Sequence, residues 1–235
     1  MTKAIAIVTG GSSGLGLEIA RLLLQKDLHV CIVGRSSKKL ATARQTLAHH
    51  AGRGTLISFQ GNAAHEEDVA SMFSMLTEQG YQVTHVVNCA GQGFFGEPDQ
   101  TDQYIINEVF DSNLISLMLV STYALRVMKE QGGVILNVMS TSALVGRGKE
   151  TVYCAAKWGA RGYTESLKLA LQGSNISVIS VFPGGMKTPF WENHPERAND
   201  VAAFMDPAEV AERIIDAAFN IKTGIISDLV IQRKR

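Results

Sequence analysis

The sequence lacks the features that mark several protein classes. It has only three cysteines (Cys31, Cys89 and Cys154), an odd number, widely spaced and outside any Cys-x-x-Cys pair. No disulfide framework is expected. Two of the three sit in apolar, strand-like runs and read as small buried hydrophobes in a reducing cytosol. There is no excess of charge of either sign: 22 basic residues face 22 acidic ones, for a formal net charge of +0. A nucleic-acid partner is therefore not expected.

Long hydrophobic runs are missing too. No stretch reaches the ~18 uninterrupted apolar residues of a membrane span, so no membrane partner is expected. The apolar start that ends in Val8-Thr9-Gly10 is too short for a signal peptide and reads as a strand, which points to a cytoplasmic protein. The six histidines give no His-x-x-x-His spacing, so no metal site is expected, and no Gly-x-Ser-x-Gly elbow supports a nucleophilic triad.

What the chain does have is alternation. Short β-branched runs recur at Ala4–Thr9, His29–Gly34, Thr55–Gln60, Thr84–Asn88, Val134–Met139, Ile176–Phe182 and Ile225–Ile231. Most are apolar throughout, as strands covered on both faces must be. Between them, Leu15, Ile19, Leu22 and Leu23 fall on one helical face, as do Val69, Met72, Phe73 and Leu76. Asp206-Pro207 opens a last helix. The pattern predicts one α/β domain over residues 1–235, a doubly wound, mainly parallel seven-stranded sheet with helices on both faces, of the Rossmann type. The segment at about 188–205, with Pro189, Trp191, His194 and Pro195, breaks the rhythm and is expected to be a mobile lid.

Thr9-Gly10-Gly11-Ser12-Ser13-Gly14-Leu15-Gly16 joins the first strand to the first helix. Glycines there permit positive φ and let a pyrophosphate approach the N–H groups of the helix N-terminus. Gly16 permits close helix–strand packing. This TGxxxGxG spacing resembles the short-chain dehydrogenase/reductase family, in its single-domain oxidoreductase branch, and the resemblance spans essentially the whole chain. Asn88-Cys89-Ala90-Gly91 is similar to the family's Asn-Asn-Ala-Gly element, with Cys in place of the second Asn. Pro183-Gly184-Gly185-Met186-Lys187-Thr188 is similar to its Pro-Gly-x-x-x-Thr element. The resemblance implies that Thr188 and the backbone near Gly185 meet a nicotinamide carboxamide. It also implies a homodimer or homotetramer.

The end of the second strand selects the cofactor. It carries Gly34-Arg35-Ser36, with no acid at the tip, and Arg35, helped by Ser12 or Ser36, favours the 2′-phosphate of NADP(H) over NAD(H). Asn62, past the third strand, stands where family members often place an Asp against the adenine, and its amide can still bond there.

Tyr153 and Lys157 are four apart in a helical segment and share a face. A phenol titrates near ~10, and a nearby ammonium is expected to lower that, so Tyr153 is the candidate acid/base. Ser140 lies 13 residues earlier, at the carboxyl end of a buried strand, and is expected to hydrogen-bond the substrate oxygen; Ser142 competes for that role. Asn113 sits in an apolar helical stretch. By resemblance it is the fourth catalytic residue, connecting Lys157 to solvent through water; as a structural residue it would kink its helix. Gln92, Phe94, Phe95, Leu144, Val145, Phe190 and Trp191 are candidates to line a cleft for a moderately hydrophobic carbonyl or secondary alcohol. A nicotinamide-binding regulatory protein without turnover is the alternative reading.

Overall fold

The computed structural model describes residues 3–50, 52–192, 194, 197–219 and 224–234. Residues 193, 195 and 196 of the expected lid, Pro195 among them, lie outside the described residues. Seven strands form one parallel sheet in the order β3-β2-β1-β4-β5-β6-β7. They are β1 (Lys3–Thr9), β2 (His29–Gly34), β3 (Leu56–Gln60), β4 (Tyr81–Asn88), β5 (Gly133–Val138), β6 (Ile176–Pro183) and β7 (Asp228–Ile231). The helices are α1 (Gly14–Gln25), α2 (Ser37–Ala48), α3 (Glu66–Glu78), α4 (Gln103–Phe110), α5 (Ser116–Met128), α6 (Thr151–Ala170), α7 (Ala198–Ala202) and α8 (Pro207–Phe219).

The doubly apolar strands explain the layering. Along β1, Ala6 and Val8 face a core filled by Ile19 and Leu23 of α1 and Ile214 of α8. Ile5 and Ile7 face the opposite core, filled by Val69 and Met72 of α3 and Val120 of α5. Successive side chains of one strand thus need an apolar partner on each face, and helices supply it on both. Cys31 of β2 is fully buried in the second core.

The chain order reverses between β1 and β4, so their carboxyl ends diverge and open a crevice there. Thr9 ties its two sides together: its hydroxyl accepts from the N–H groups of Cys89 (3.0 Å) and Ala90 (3.1 Å).

Several boundaries differ from the sequence pattern, most by one residue, but β4 begins at Tyr81 rather than Thr84. β7 begins at Asp228 rather than Ile225, because its ladder with β6 starts only at Ser180–Asp228 and Ile225 is left exposed. The long helix is interrupted by a π-helical turn at Asp111–Ile115, between α4 and α5. Among the described residues no helix is long and apolar enough to cross a membrane.

Candidate active site

The carboxyl ends of the strands frame an open cleft of about 1030 Å³. One wall is the glycine turn before α1. Gly10 and Gly14 have φ of +65° and +53°, which other residues rarely adopt. A Cβ on Gly10 would come within 3.0 Å of the Ala90 backbone, and one on Gly14 within 3.1 Å of Thr188. The turn therefore packs directly against the segments that follow β4 and β6. Ser12, Ser13, Leu15 and Gly16 also reach the cleft, opposite Pro183, Gly184, Gly185 and Thr188.

Gly16 is set by close approach, since an added Cβ would run into the Gly10 carbonyl. Gly16→Ala gains about 1 kcal/mol in helix propensity but costs roughly 1–3 kcal/mol in forced backbone displacement. The strain wins because the obstacle is backbone. Thermal melting is expected to show a net loss of up to about 2 kcal/mol, or as much as roughly 8 °C for a chain of this size, with weakened dinucleotide binding. A variant as stable and as tight as the parent would contradict this account of Gly16.

The catalytic candidates converge at the other end of the cleft. Tyr153 and Lys157 project from the first turns of α6 and are buried, as is Asn113 in the π-helical turn. Ser140, just past β5, is hydrogen-bonded to the Tyr153 hydroxyl. The two serines differ in their partners: the Ser142 hydroxyl donates to the buried carboxylate of Glu150 at 2.8 Å. Lys157 Nζ donates to the Val138 carbonyl at 3.2 Å and lies 5.7 Å from the centre of the Tyr153 ring.

The electrostatics depart from expectation. Burial pushes the Tyr153 phenol well above its ordinary range, the bond to Ser140 offsets only part of this, and the Glu150 carboxylate raises it further. Lys157 is not what sets the phenol. Its own ammonium is pulled down from 10.5 to about 8, again by burial. Desolvation outweighs the attraction between the two groups, because both leave water together.

Asn113 explains the π-helical turn. Its Nδ2 donates to the carbonyls of Val109 (2.8 Å) and Gln92 (2.7 Å), so the side chain serves backbone acceptors on its own helix and on the segment after β4. Its Oδ1 is buried without a protein partner and lies beside Gly91, where a Cβ would come within 2.6 Å of it and 3.5 Å of Lys157 Nζ. A buried acceptor of this kind calls for an ordered water or a ligand atom.

Two expected site residues lie elsewhere. Asn88 does not line the cleft. Its Nδ2 donates to Ser121 Oγ (2.9 Å) and Asn137 Oδ1 (2.8 Å), so it braces β4 against β5 and α5 from within. Phe94 is also turned from the cleft and packs beside Val109 and Tyr153, whereas Gln92, Phe95, Leu144, Val145, Phe190 and Trp191 line it. Asn62 lines the cleft with its Oδ1 accepting from Ala64 N–H. Arg35 does so with its guanidinium bonded to Glu108 (3.3 Å) and Gln92 (3.1 Å).

Sequence reasoning missed Thr9, Glu108, Glu150 and Arg197. Glu150 holds Ser142 and stands 3.6 Å from Arg197, whose guanidinium lies 5.3 Å from the Phe95 and Trp191 rings. Glu150, an acid directly before the start of α6, carried a weak signal, and Thr9 opened the glycine motif without being given a role; Glu108 and Arg197 had no signal, since their partners are distant in sequence.

The strap after β6 is closed at its base. Lys187 N–H donates to Met205 O and Met205 N–H to Gly185 O, and Trp191 Nε1 donates to Met186 O at 2.9 Å.

Known proteins resemble this chain in sequence and in fold. The family model for short chain dehydrogenases matches residues 4–199. A 3-oxoacyl-[acyl-carrier-protein] reductase of Rattus norvegicus is 31% identical over 215 residues, covering 90% of this chain and 89% of its own. Carbonyl reductase family member 4 of Danio rerio is 29% identical over 217 residues, with the same coverage. Among solved structures, a short-chain dehydrogenase/reductase from Vibrio parahaemolyticus superimposes with a TM-score of 0.84 at 31% identity, covering 97% of this chain and all of the other. An alcohol dehydrogenase from Thermococcus sibiricus, complexed with 5-hydroxy-NADP, gives 0.87 at 21% identity, with 99% of each chain covered, a likeness of fold.

Proposed function

The chain belongs to the short-chain dehydrogenase/reductase family, and from that premise we propose that it is an NADP(H)-dependent oxidoreductase interconverting a carbonyl compound and a secondary alcohol. The observation that carries this reading is the convergence of Ser140, Tyr153 and Lys157 in one cleft with a glycine cradle whose Cα atoms leave no room for side chains. Gly10, Ser12, Ser13, Gly14, Leu15 and Gly16 would hold the pyrophosphate at the N-terminus of α1, Arg35 the 2′-phosphate, Asn62 the adenine, and Ala90, Gly91, Pro183, Gly184 and Thr188 the nicotinamide half. When bound, the nicotinamide supplies or accepts a hydride.

The chain's own residues handle the oxygen and its proton. Ser140 hydrogen-bonds the substrate oxygen and the Tyr153 hydroxyl together. The raised phenol is protonated at neutral pH, so its resting form is the acid that a reduced carbonyl needs. Lys157 places positive charge beside the ring as the phenol gives up its proton, and Asn113 Oδ1 can hold a water that returns one. Phe95, Phe190 and Trp191, with Phe95 and Phe190 each 6.0 Å from Tyr153 between ring centres, suit a moderately hydrophobic substrate. The named activities of the 3-oxoacyl and carbonyl reductase relatives agree with carbonyl reduction. Free thiols at all three cysteines suit a cytoplasmic setting. Tyr104 and Trp158, exposed on α4 and α6, give the homodimer or homotetramer an apolar surface on which to form.

Parallel fluorescence titrations with NADPH and NADH test the cofactor assignment. A charge-assisted contact to Arg35 contributes about 1.5–3 kcal/mol, so NADPH is expected to bind roughly 10- to 100-fold more tightly than NADH, with the preference lost in Arg35→Ala. Equal binding of the two in the parent protein, unaltered in the variant, would refute the NADP(H) assignment.

A further inference from the structure

Arg35 is not the only charged side chain at the tip of β2. Glu108, 73 residues away and in the last turns of α4, reaches across the cleft to it, Nη1 to Oε2 at 3.3 Å. Gln92 sits between them, accepting from Arg35 Nη2 at 3.1 Å and donating to the same Glu108 oxygen at 3.2 Å. This triangle is anchored on two sides. The Gln92 carbonyl accepts from Asn113 Nδ2, and the Glu108 carbonyl accepts from the Ser112 hydroxyl at 2.7 Å. Lys39 and Asp111 also line the cleft but take no part in the triangle.

We propose that Glu108 is a specificity-determining residue: its carboxylate holds the Arg35 guanidinium and competes for it with the 2′-phosphate of NADP(H). The inference rests on the reading of Arg35 given above. A guanidinium offers one planar fork, and a carboxylate and a phosphate engage it through the same N–H groups. Two anions drawn to one cation also repel each other. A neutral 2′-hydroxyl gains little from that fork and meets no such repulsion, so NADH is indifferent to the pairing. The acid absent from the end of β2 is thus supplied from α4, where it restrains the preference for the phosphorylated cofactor.

The test is a set of NADPH and NADH titrations on the parent protein, Glu108→Gln, Arg35→Ala and the double variant, with thermal melting to confirm folding. Glu108→Gln keeps the amide and carbonyl contacts and removes only the charge. It is expected to tighten NADPH by about fivefold, the scale of an exposed ion pair, while NADH stays within twofold. That gain is expected to vanish in the Arg35→Ala background. NADPH affinity unchanged or weakened by Glu108→Gln would overturn the inference, as would a loss of NADH affinity, which would make the carboxylate a ribose ligand. A gain that persists without Arg35 would also overturn it. An NADPH preference abolished by Arg35→Ala alongside an inert Glu108→Gln sinks this inference alone; a preference absent from the parent and unmoved by Arg35→Ala sinks the cofactor reading beneath it.

Discussion

Tyr153→Phe is expected to lower carbonyl-dependent NADPH oxidation by about a thousandfold, within the usual span for losing a positioned general acid, while NADPH affinity stays within twofold. The substitution removes one oxygen from a ring that is buried between Phe95 and Phe190. Packing is therefore retained. Only the bond to Ser140 and the donated proton are lost, and Ser140 keeps a partner because its Oγ accepts from Ser142 N–H at 3.1 Å. Turnover and binding part company only if Tyr153 acts on the substrate oxygen. A variant that loses both equally would point to a collapsed site, and one that keeps its turnover would remove Tyr153 from the chemistry. Steady-state rates set beside a fluorescence titration separate these cases.

Lys157→Met is expected to do two opposed things: lower turnover by about a hundredfold or more and raise the melting temperature. Lys157 is buried, and burial holds its pKa at about 8 instead of 10.5. The sign follows from proton counts. Between about pH 8 and 10.5 the unfolded chain keeps a proton that the native protein has lost, so Lys157 makes stability rise with pH across that window. Below it the native state carries the full cost of a buried ammonium, about 3 kcal/mol at roughly 1.4 kcal/mol per pH unit. Methionine removes that cost but strands the Val138 carbonyl, a penalty of about 1–3 kcal/mol. The net gain is up to about 2 kcal/mol, or as much as roughly 8 °C, read by calorimetry at pH 7. In the parent protein, carbonyl reduction is expected to decline as pH rises through about 8, where the ammonium is lost. A melting temperature lowered by the substitution would show that Lys157 holds the fold together.

These two residues, with Ser140 and the glycine turn, were legible in the sequence because their spacing is local. A helix puts residues four apart on one face, and a strand–turn–helix puts glycines under a helix N-terminus whatever surrounds them. The layered fold was legible for the same reason, strands without a polar face requiring cover on both sides. What failed depends on contacts made over long separations. Asn88 matched a motif by position, yet its partners Ser121 and Asn137 turn it inward. Arg35 stood at the right strand end, but nothing near it in sequence announced Glu108. The direction of the Tyr153 shift depended on how much apolar side chain would close over the ring, which spacing does not encode. The π-helical turn was foreshadowed only by Asp111-Ser112-Asn113 in an otherwise apolar helix, whose hydroxyl and amide bond the displaced carbonyls.

The paired bonds between Gly185, Lys187 and Met205 have an evolutionary consequence. Because the strap leaves and rejoins the scaffold at one point, its two ends are already together before any substrate-facing residue is chosen. Its length and content can then be exchanged at small entropic cost, without disturbing the β6 ladder or the glycine cradle. Phe190, Trp191 and Arg197 all lie on it, so this part of the cleft wall can be replaced as a cassette. The residues proposed to handle the proton, in contrast, sit on α6 and just past β5, elements whose displacement would unseat both cores. A lineage built this way can change what it recognises while leaving the chemistry it performs alone.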